Sequence, residues 1–422
     1  MKQEFAVLGF VAAVVAFALY WTAAPSTGGE LSAIEQDIAV LASDSLEGRA
    51  TGTEGERKAA TYVASRFASL GLEPKGSNGY FQEYTFNPHP TLAIHGQGDS
   101  TSLGMSTVQP ITGVNVCGFL NAGKPLTVIV GAHHDHLGWG DENSLFRGDP
   151  AIHNGADDNA SGVSALLALA KRLNDRKARL AYNYLFLTFS GEEKGLWGSK
   201  KWIENATVPL SEVNFMFNMD MVGRLNAEEV LAVYGSGTSP AWDMVDQVQT
   251  DLTFTFHESG VGPSDHTSFY LEDLPVLHFF TGQHEDYHKP SDDYDKINYP
   301  GIIKVVDLMD SLLVRLNHGE RIAFTKTKDE DNESTPSFKV TLGVMPDYMN
   351  TEPGMRIDGV TEGRPAANAG LQRGDVVVQM GEHEVDGLEA YMKCLSIFEP
   401  GETTPVTVLR DGERITVDVT WK

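Results

Sequence analysis

The chain has 422 residues, enough for two or three domains and a large core. Its 32 basic and 58 acidic side chains give a formal charge of −26, which argues against a nucleic-acid partner, because phosphate binding needs a basic face. The two cysteines, Cys117 and Cys394, lie far apart and suit neither a disulfide framework nor a zinc–thiolate site, so a metal site here must be built from His, Asp and Glu.

Residues 5–24 are continuously apolar or small, as in a bilayer-spanning segment or an export signal. Lys2 is offset by Glu4, Pro25 would follow a cut after Ala24, and Trp21 would sit three residues before a cut after Ala23. These flanks favour an uncleaved membrane anchor within residues 1–30. With or without cleavage, the following domain is expected to be exported, to a periplasmic or other extracytoplasmic location.

From Leu31 to Leu70 apolar residues recur at three- and four-residue intervals, predicting helices, and Gly71 stops them. Strands are predicted at Tyr80–Phe86, Val114–Leu120, Leu126–Val130, Tyr182–Phe189, Val213–Met219 and Pro275–Phe280. Helical spacing follows at 162–173, 195–204, 240–250 and 301–316. Strands alternating with helices indicate an α/β domain with a mixed, mostly parallel sheet.

Ligand-type residues come soon after these strands: His133, Glu192 and Glu193, Asp220, and His288. In open α/β sheets ligands bind beyond the carboxyl ends of the strands, so separate segments would converge on one sheet edge. Asp157 and Asp158 lie just ahead of a helix, where its N-terminus favours a carboxylate. Asp135 follows His133 by two residues and could hold its imidazole in one tautomer.

Seven stretches carry a family resemblance: LASDSLEGRATGTEGERKAATYVASRFASLGLEP (41–74), GAHHD (131–135), GADDNASG (155–162), SGEEKGLWGS (190–199), NMDMVG (218–223), SDHTSF (264–269) and DYHKPSDDYDKI (286–297). In this order the chain resembles the M28 family of dizinc aminopeptidases over residues 31–318. The resemblance implies a three-layer αβα zinc-exopeptidase fold and two Zn²⁺ ions per chain. His133 and Asp220 would bind one ion, Glu193 and His288 the other, and Asp158 both. Glu192 would be the general base, with Asp135 behind His133. The implied reaction removes N-terminal amino acids from peptides with a dizinc-bound hydroxide. Two zinc ions bring four positive charges, which three carboxylates and one hydroxide would balance. The resemblance gives His134, His136 and His153 no ligand role. Asp265 and His266 are candidates for supporting the site, and Tyr287 for contacting a substrate carbonyl. Residues 137–154 form an insertion expected to rim the site. Alternatives are a carboxypeptidase or dipeptide-releasing relative, a glutaminyl-cyclase-like transferase, which would bind one zinc, and a non-catalytic peptide-binding protein, which would be expected to lose ligands.

Residues 319–336 include TKTKDEDNESTP and read as a linker. Residues 337–422 resemble a small β-rich PDZ domain, on TLGV (341–344), PAANAGLQRGDVV (365–377) and a closing hairpin at Asp411-Gly412. The loop before Val344 would offer N–H groups to a peptide carboxylate, and the next strand would pair with the peptide. Pro346 in that strand lacks an N–H, which weakens the ladder. Peptide docking and a packing or assembly role both stay open for this unit.

Overall fold

Four parallel strands form the centre of a nine-stranded sheet: β7 (Asn183–Phe189), β6 (Thr127–His133), β8 (Val213–Met219) and β11 (Val276–Phe280), in that spatial order. Antiparallel ladders flank them. On one side β5 (Ile111–Leu120) pairs with β7, and β1 (Glu73–Pro74) and β2 (Phe81–Phe86) pair with β5. On the other, β9 (Val230–Tyr234) runs antiparallel to β11 and carries β10 (Thr253–His257) at the edge. The expected mixed sheet is thus parallel where it is most deeply buried. The computed structural model describes residues 27–87, 92–95, 102–105, 109–140, 143–146, 148–327, 340–346, 353–360, 363–410 and 412–421. The apolar segment 5–24 and linker residues 328–336 fall outside that set. Among the described residues no helix is long and apolar enough to cross a membrane.

Helices cover both faces, and strand alternation decides which side chains meet them. Val128, Val130, Tyr184, Phe186, Phe215 and Phe217 share one core with α1 (Thr27–Leu41), α2 (Glu54–Ser69), α3 (Gly162–Asp175) and α6 (Tyr299–Arg315). The intervening Ile129, Leu185, Leu187, Phe189 and Met216 pack on the opposite face against Trp202 of α4 (Trp197–Glu204) and Phe269 and Tyr270 of α5 (His266–Tyr270). The result is the three-layer αβα arrangement. Cys117 is fully buried in this second core.

Two elements differ from expectation. The segment at 240–250 is a 3-10 helix over Pro240–Gln247. Its buried residues, Trp242 and Val245, are three apart, and three residues per turn stacks them on one side. The short strands β9 and β10 are additional; β10 sits at the sheet edge, only partly buried, so its sequence carries little hydrophobic pattern.

The C-terminal unit has its own core. Leu342, Ile357, Val377, Met380, Val406, Val408 and Trp421 close together under an antiparallel sheet in the order β12 (Val344–Pro346), β13 (Met355–Val360), β14 (Val376–Met380), β16 (Thr403–Arg410) and β17 (Glu413–Thr420), with β15 (His383–Glu384) beside β14. Two short helices, α7 (Pro365–Asn368) and α8 (Leu388–Ile397), complete it. Arg410 pairs with Glu413 across the hairpin, with Gly412 at φ 84°. The ladder shifts register between Met345 and Pro346, where the missing N–H falls.

At the far edge His257 stacks on Tyr234, ring centroids 4.1 Å apart. Burial pushes its pKa down to about 4, below the unfolded value near 6.5. The unfolded chain therefore takes up this proton at higher pH than the folded one. The stability it contributes is complete above pH 6.5 and lost as pH falls towards 4. His257→Phe keeps a stacking ring that cannot protonate. Its stability is expected to fall less steeply than the wild type's between pH 6.5 and 4, the difference being at most about 3 kcal/mol; thermal midpoints that fall in parallel for the two proteins would count against this assignment.

Candidate metal centre

Each central strand delivers a metal-ligand candidate at its carboxyl end. β6 ends on His133, β7 runs into Ser190-Gly191-Glu192-Glu193, β8 is followed by Asp220, and the chain after β11 returns to His288. Asp158 enters from the turn ahead of α3. Gly155 starts that turn at φ 56°, and a Cβ there would meet the Asp158 carbonyl and the His136 ring. The five candidates expected from sequence and resemblance come together: Asp158, Glu193, Asp220 and His288 line an open cleft with Glu192, Met221, Pro263, His278, Phe280, Gln283 and Tyr287, and His133 reaches it through Asp158 and Asp220.

Asp158 divides its two oxygens. Oδ1 lies 3.3 Å from His133 Nε2, and Oδ2 lies 3.3 Å from His288 Nε2. Asp220 Oδ1 is 3.1 Å from His133 Nε2, and Glu193 Oε2 is 3.3 Å from His288 Nε2. Zinc–ligand bonds of about 2.0–2.1 Å at tetrahedral angles place ligand atoms roughly 3.3 Å apart. The donor set therefore fits two ions sharing one carboxylate. Both candidate imidazoles are held in the tautomer a metal ligand needs. His288 Nδ1–H donates to the Asn143 carbonyl at 2.9 Å, and His133 Nδ1–H to the Asp135 carbonyl at 3.2 Å, leaving each Nε2 lone pair for a cation. The Asp135 carboxylate, expected in that role, is further off at 3.7 Å. It instead accepts from Thr51 Oγ1 at 2.7 Å and from the Glu192 backbone N–H at 3.2 Å, so it ties His133's loop to the Glu192 turn.

The charges are strongly coupled. Burial pulls the His133 and His288 imidazoles down, but their carboxylate neighbours, Asp220 and Glu193 foremost, raise both well above the usual histidine range. Burial and Asp158 push the Glu193 carboxyl up; His288 and His136 outweigh them and hold it at about 2. Glu192 goes the other way. Burial raises its carboxyl well above the ordinary range against the pull of His133, and Asp220, Glu193 and Asp265 act in the same direction as burial. Adjacent glutamates are thus driven apart in proton affinity.

The sequence stretch 49–56 turns out to be the clamp on this site. Arg49, 1% exposed, donates Nε–H to the His134 carbonyl at 2.8 Å, Nη1–H to Asn154 at 2.6 Å and to Leu41, and Nη2–H to Gly155 at 3.0 Å. One guanidinium thereby joins the His133 loop to the Asp158 loop. Glu56 accepts from the N–H groups of Gly52 and Val114 and from Ser190 Oγ, linking α2 to β5 and to the turn after β7. The turn before α3 is stitched to the end of β8. Asn159 Nδ2 donates to the Met219 carbonyl at 3.0 Å, and Asn159 Oδ1 accepts from Met221 N–H at 3.2 Å. Asp157 Oδ1 accepts from Gly223 N–H at 2.6 Å. The motif spellings LEGRATGTEGE, GADDNASG and NMDMVG pointed to these residues, but spacing alone does not say which backbone atoms they reach.

The remaining candidates separate clearly. His153 bonds to Ser144 Oγ at 2.8 Å, within the insertion. His134 is buried, and burial pushes it down to about 4. Asp265 is fully buried, which lifts its carboxyl to about 7, and the His266 ring stacks on His278 at 4.5 Å. Tyr287 stacks on His288 at 3.8 Å. His136 reaches the site: its Nδ1 lies 2.8 Å from Glu193 Oε1. Asn143 of the insertion touches two ligand segments, accepting from His288 and donating Nδ2–H to the Glu193 carbonyl at 2.8 Å.

Residues 115–313 match the model of peptidase family M28, and residues 308–420 match that of the PDZ domain. The chain carries an M28 peptidase domain joined to a PDZ domain. Aminopeptidase YwaD of Bacillus subtilis (strain 168) is 28% identical over 206 residues, 45% of this chain and 41% of that protein. The BOS complex subunit NCLN of Homo sapiens is 32% identical over 108 residues, 23% of this chain and 18% of that one. The chain therefore spans less than half the length of these curated relatives. Among solved structures, BSAP, a zinc aminopeptidase from Bacillus subtilis, superposes with a TM-score of 0.54 at 18% identity, covering 72% of this chain and 97% of that chain. Porphyromonas gingivalis glutaminyl cyclase gives 0.50 at 16%, covering 68% and 98%. At these identities the likeness shows a shared fold.

Arg49→Met would leave buried carbonyls without a donor and the carboxylate cluster without its internal cation. Urea denaturation is expected to show a loss of roughly 3–5 kcal/mol. A loss under about 1 kcal/mol would mean that the clamp carries little of the site's stability.

Proposed function

We propose that this chain is a metal-dependent exopeptidase that removes N-terminal amino acids from peptides at a two-zinc centre. The observation that carries the reading is the division of Asp158 between the His133 and His288 imidazoles at equal 3.3 Å distances. His133 and Asp220 would hold one ion, His288 and Glu193 the other, and Asp158 both. When bound there, zinc supplies Lewis acidity and lowers the pKa of water to roughly 7.

The chain's own residues do the rest. Glu192 lines the cleft, and its raised proton affinity suits a carboxylate that takes a proton from the attacking water and returns it to the departing amine. Asp135 holds the Glu192 backbone and the His133 loop in register. Met221, Pro263 and Phe280 give the cleft an apolar wall that excludes water beside the scissile bond. The carboxylates at the cleft attract a free α-ammonium group, which favours cleavage at the N-terminus. Glu192→Ala is expected to retain about two zinc ions per chain while losing roughly 10²–10⁴-fold in hydrolysis of an aminoacyl-nitroanilide. N-acetylated substrates are expected to resist the wild type. Full activity of the variant would refute the assigned base, and cleavage of blocked substrates would refute the exopeptidase.

We place the peptidase domain at 31–318, the linker at 319–336 and the PDZ domain at 337–422. Leu308 and Leu312 of α6 pack in the peptidase core, which supports the first of these boundaries. The apolar stretch 5–24 supports export, to the periplasm or another extracytoplasmic space, with the segment as membrane anchor. Peptides are the proposed substrates, and a peptide or protein tail the proposed PDZ partner. If the PDZ domain docks substrate, deleting 337–422 raises KM for peptides and spares small chromogenic substrates; equal loss on both would exclude docking.

A further inference from the structure

Two imidazoles face Glu193, one on each oxygen. His288 Nε2 lies 3.3 Å from Oε2, and His136 Nδ1 lies 2.8 Å from Oε1. His136 is fully buried, and its Nε2 has no hydrogen-bond partner. The tautomer follows from these contacts. A proton on Nε2 would leave a buried N–H without an acceptor and press two lone pairs together across 2.8 Å. A proton on Nδ1 makes a hydrogen bond of normal length and leaves only an acceptor unpaired. His136 therefore donates to Glu193 and does not offer it a lone pair. His136 Nδ1 is also 3.8 Å from Asp158 Oδ2, so the ring lies beside both carboxylates that face His288. The ring is fixed by its surroundings: Gly155 lies against its edge, where a Cβ would come within 2.5 Å.

We propose that His136 is a positioning residue for the second metal: its Nδ1–H holds Oε1 of Glu193 and thereby presents Oε2 as a single-oxygen ligand beside His288. Without that bond the carboxylate can turn about its last torsion and offer the ion either oxygen or both. Asp220, the carboxylate of the first site alone, makes no such bond to His136, and the shared Asp158 lies 3.8 Å from Nδ1, beyond hydrogen-bond reach, so the effect falls chiefly on one of the two ions. This role rests on the two-zinc reading.

The test is zinc titration of the full-length, metal-stripped protein against a chromogenic chelator. Wild type is expected to take two ions. His136→Ala is expected to weaken the second ion by about 10–100-fold and leave the first unchanged. His136→Asn sets an amide N–H where Nδ1–H stood and is expected to restore most of the loss. Second-ion affinity in His136→Ala equal to wild type would overturn the positioning role alone. Failure of His136→Asn to recover would mark His136 as a direct ligand, which also overturns it. Loss of both ions in His136→Ala would reduce the residue to a general structural one. Wild type binding fewer than two ions would instead remove the reading beneath it.

Discussion

The peptidase domain depends on one electrostatic constraint: carboxylates must be gathered in a dry place without tearing it apart. Asp135, Asp157, Asp158, Glu193, Asp265 and Asp292 are all buried, and Glu192 and Asp220 sit beside them. A buried, unpaired carboxylate is expensive, and like charges a few ångströms apart compound the cost. Two devices offset it within the protein. Imidazoles stand between the acids, and Arg49 supplies a buried positive charge; burial lowers its pKa to about 10, opposed by Asp158, Asp135, Asp292 and Glu193.

Backbone donors do the finer work. Asp292 accepts from the N–H groups of both Asp157 and Asp158, and its carboxyl is nonetheless pushed by burial to about 6. Asp157 accepts from Gly223 and Ser161 and meets His284 Nε2 at 3.2 Å. The acids behind the ligands are therefore part of the scaffold. They fix the main chain of the loops, and those loops fix the candidate ligands. A parallel sheet suits this work because its strand ends all point to one edge, so four segments can each present one group there.

Much of this was legible in the sequence for physical reasons. Apolar runs such as YNYLFLTF and VNFMFNM can only be buried strands, and the acids and histidines that follow them must then lie at the sheet edge. The convergence of His133, Asp158, Glu193, Asp220 and His288 follows from that. Less legible were contacts made by backbone atoms. Nothing in the spacing of Arg49 says that its guanidinium meets four carbonyls, or that the Asp135 carbonyl comes closer to His133 than its carboxylate does. His136 was obscured for another reason. It sits in a run of histidines, where composition cannot tell a partner of Glu193 from a buried bystander such as His134. The strand β10 escaped notice because a short edge strand exposes too much of itself to leave a pattern, and the buried β9 because five residues are too few to set a period.

The insertion between the first two ligand motifs has a thermodynamic consequence. Asn143 accepts a hydrogen bond from His288 and donates one to the main chain of Glu193, so a single loop residue is fastened to both ligand segments of the same candidate ion. Whatever free energy a cation gains from having those two segments in place, the loop shares. Linkage is reciprocal: an ion that favours the docked loop is itself bound more tightly when the loop is docked. The order of the loop and the occupancy of that candidate ion's site would then be coupled variables, joined through one asparagine.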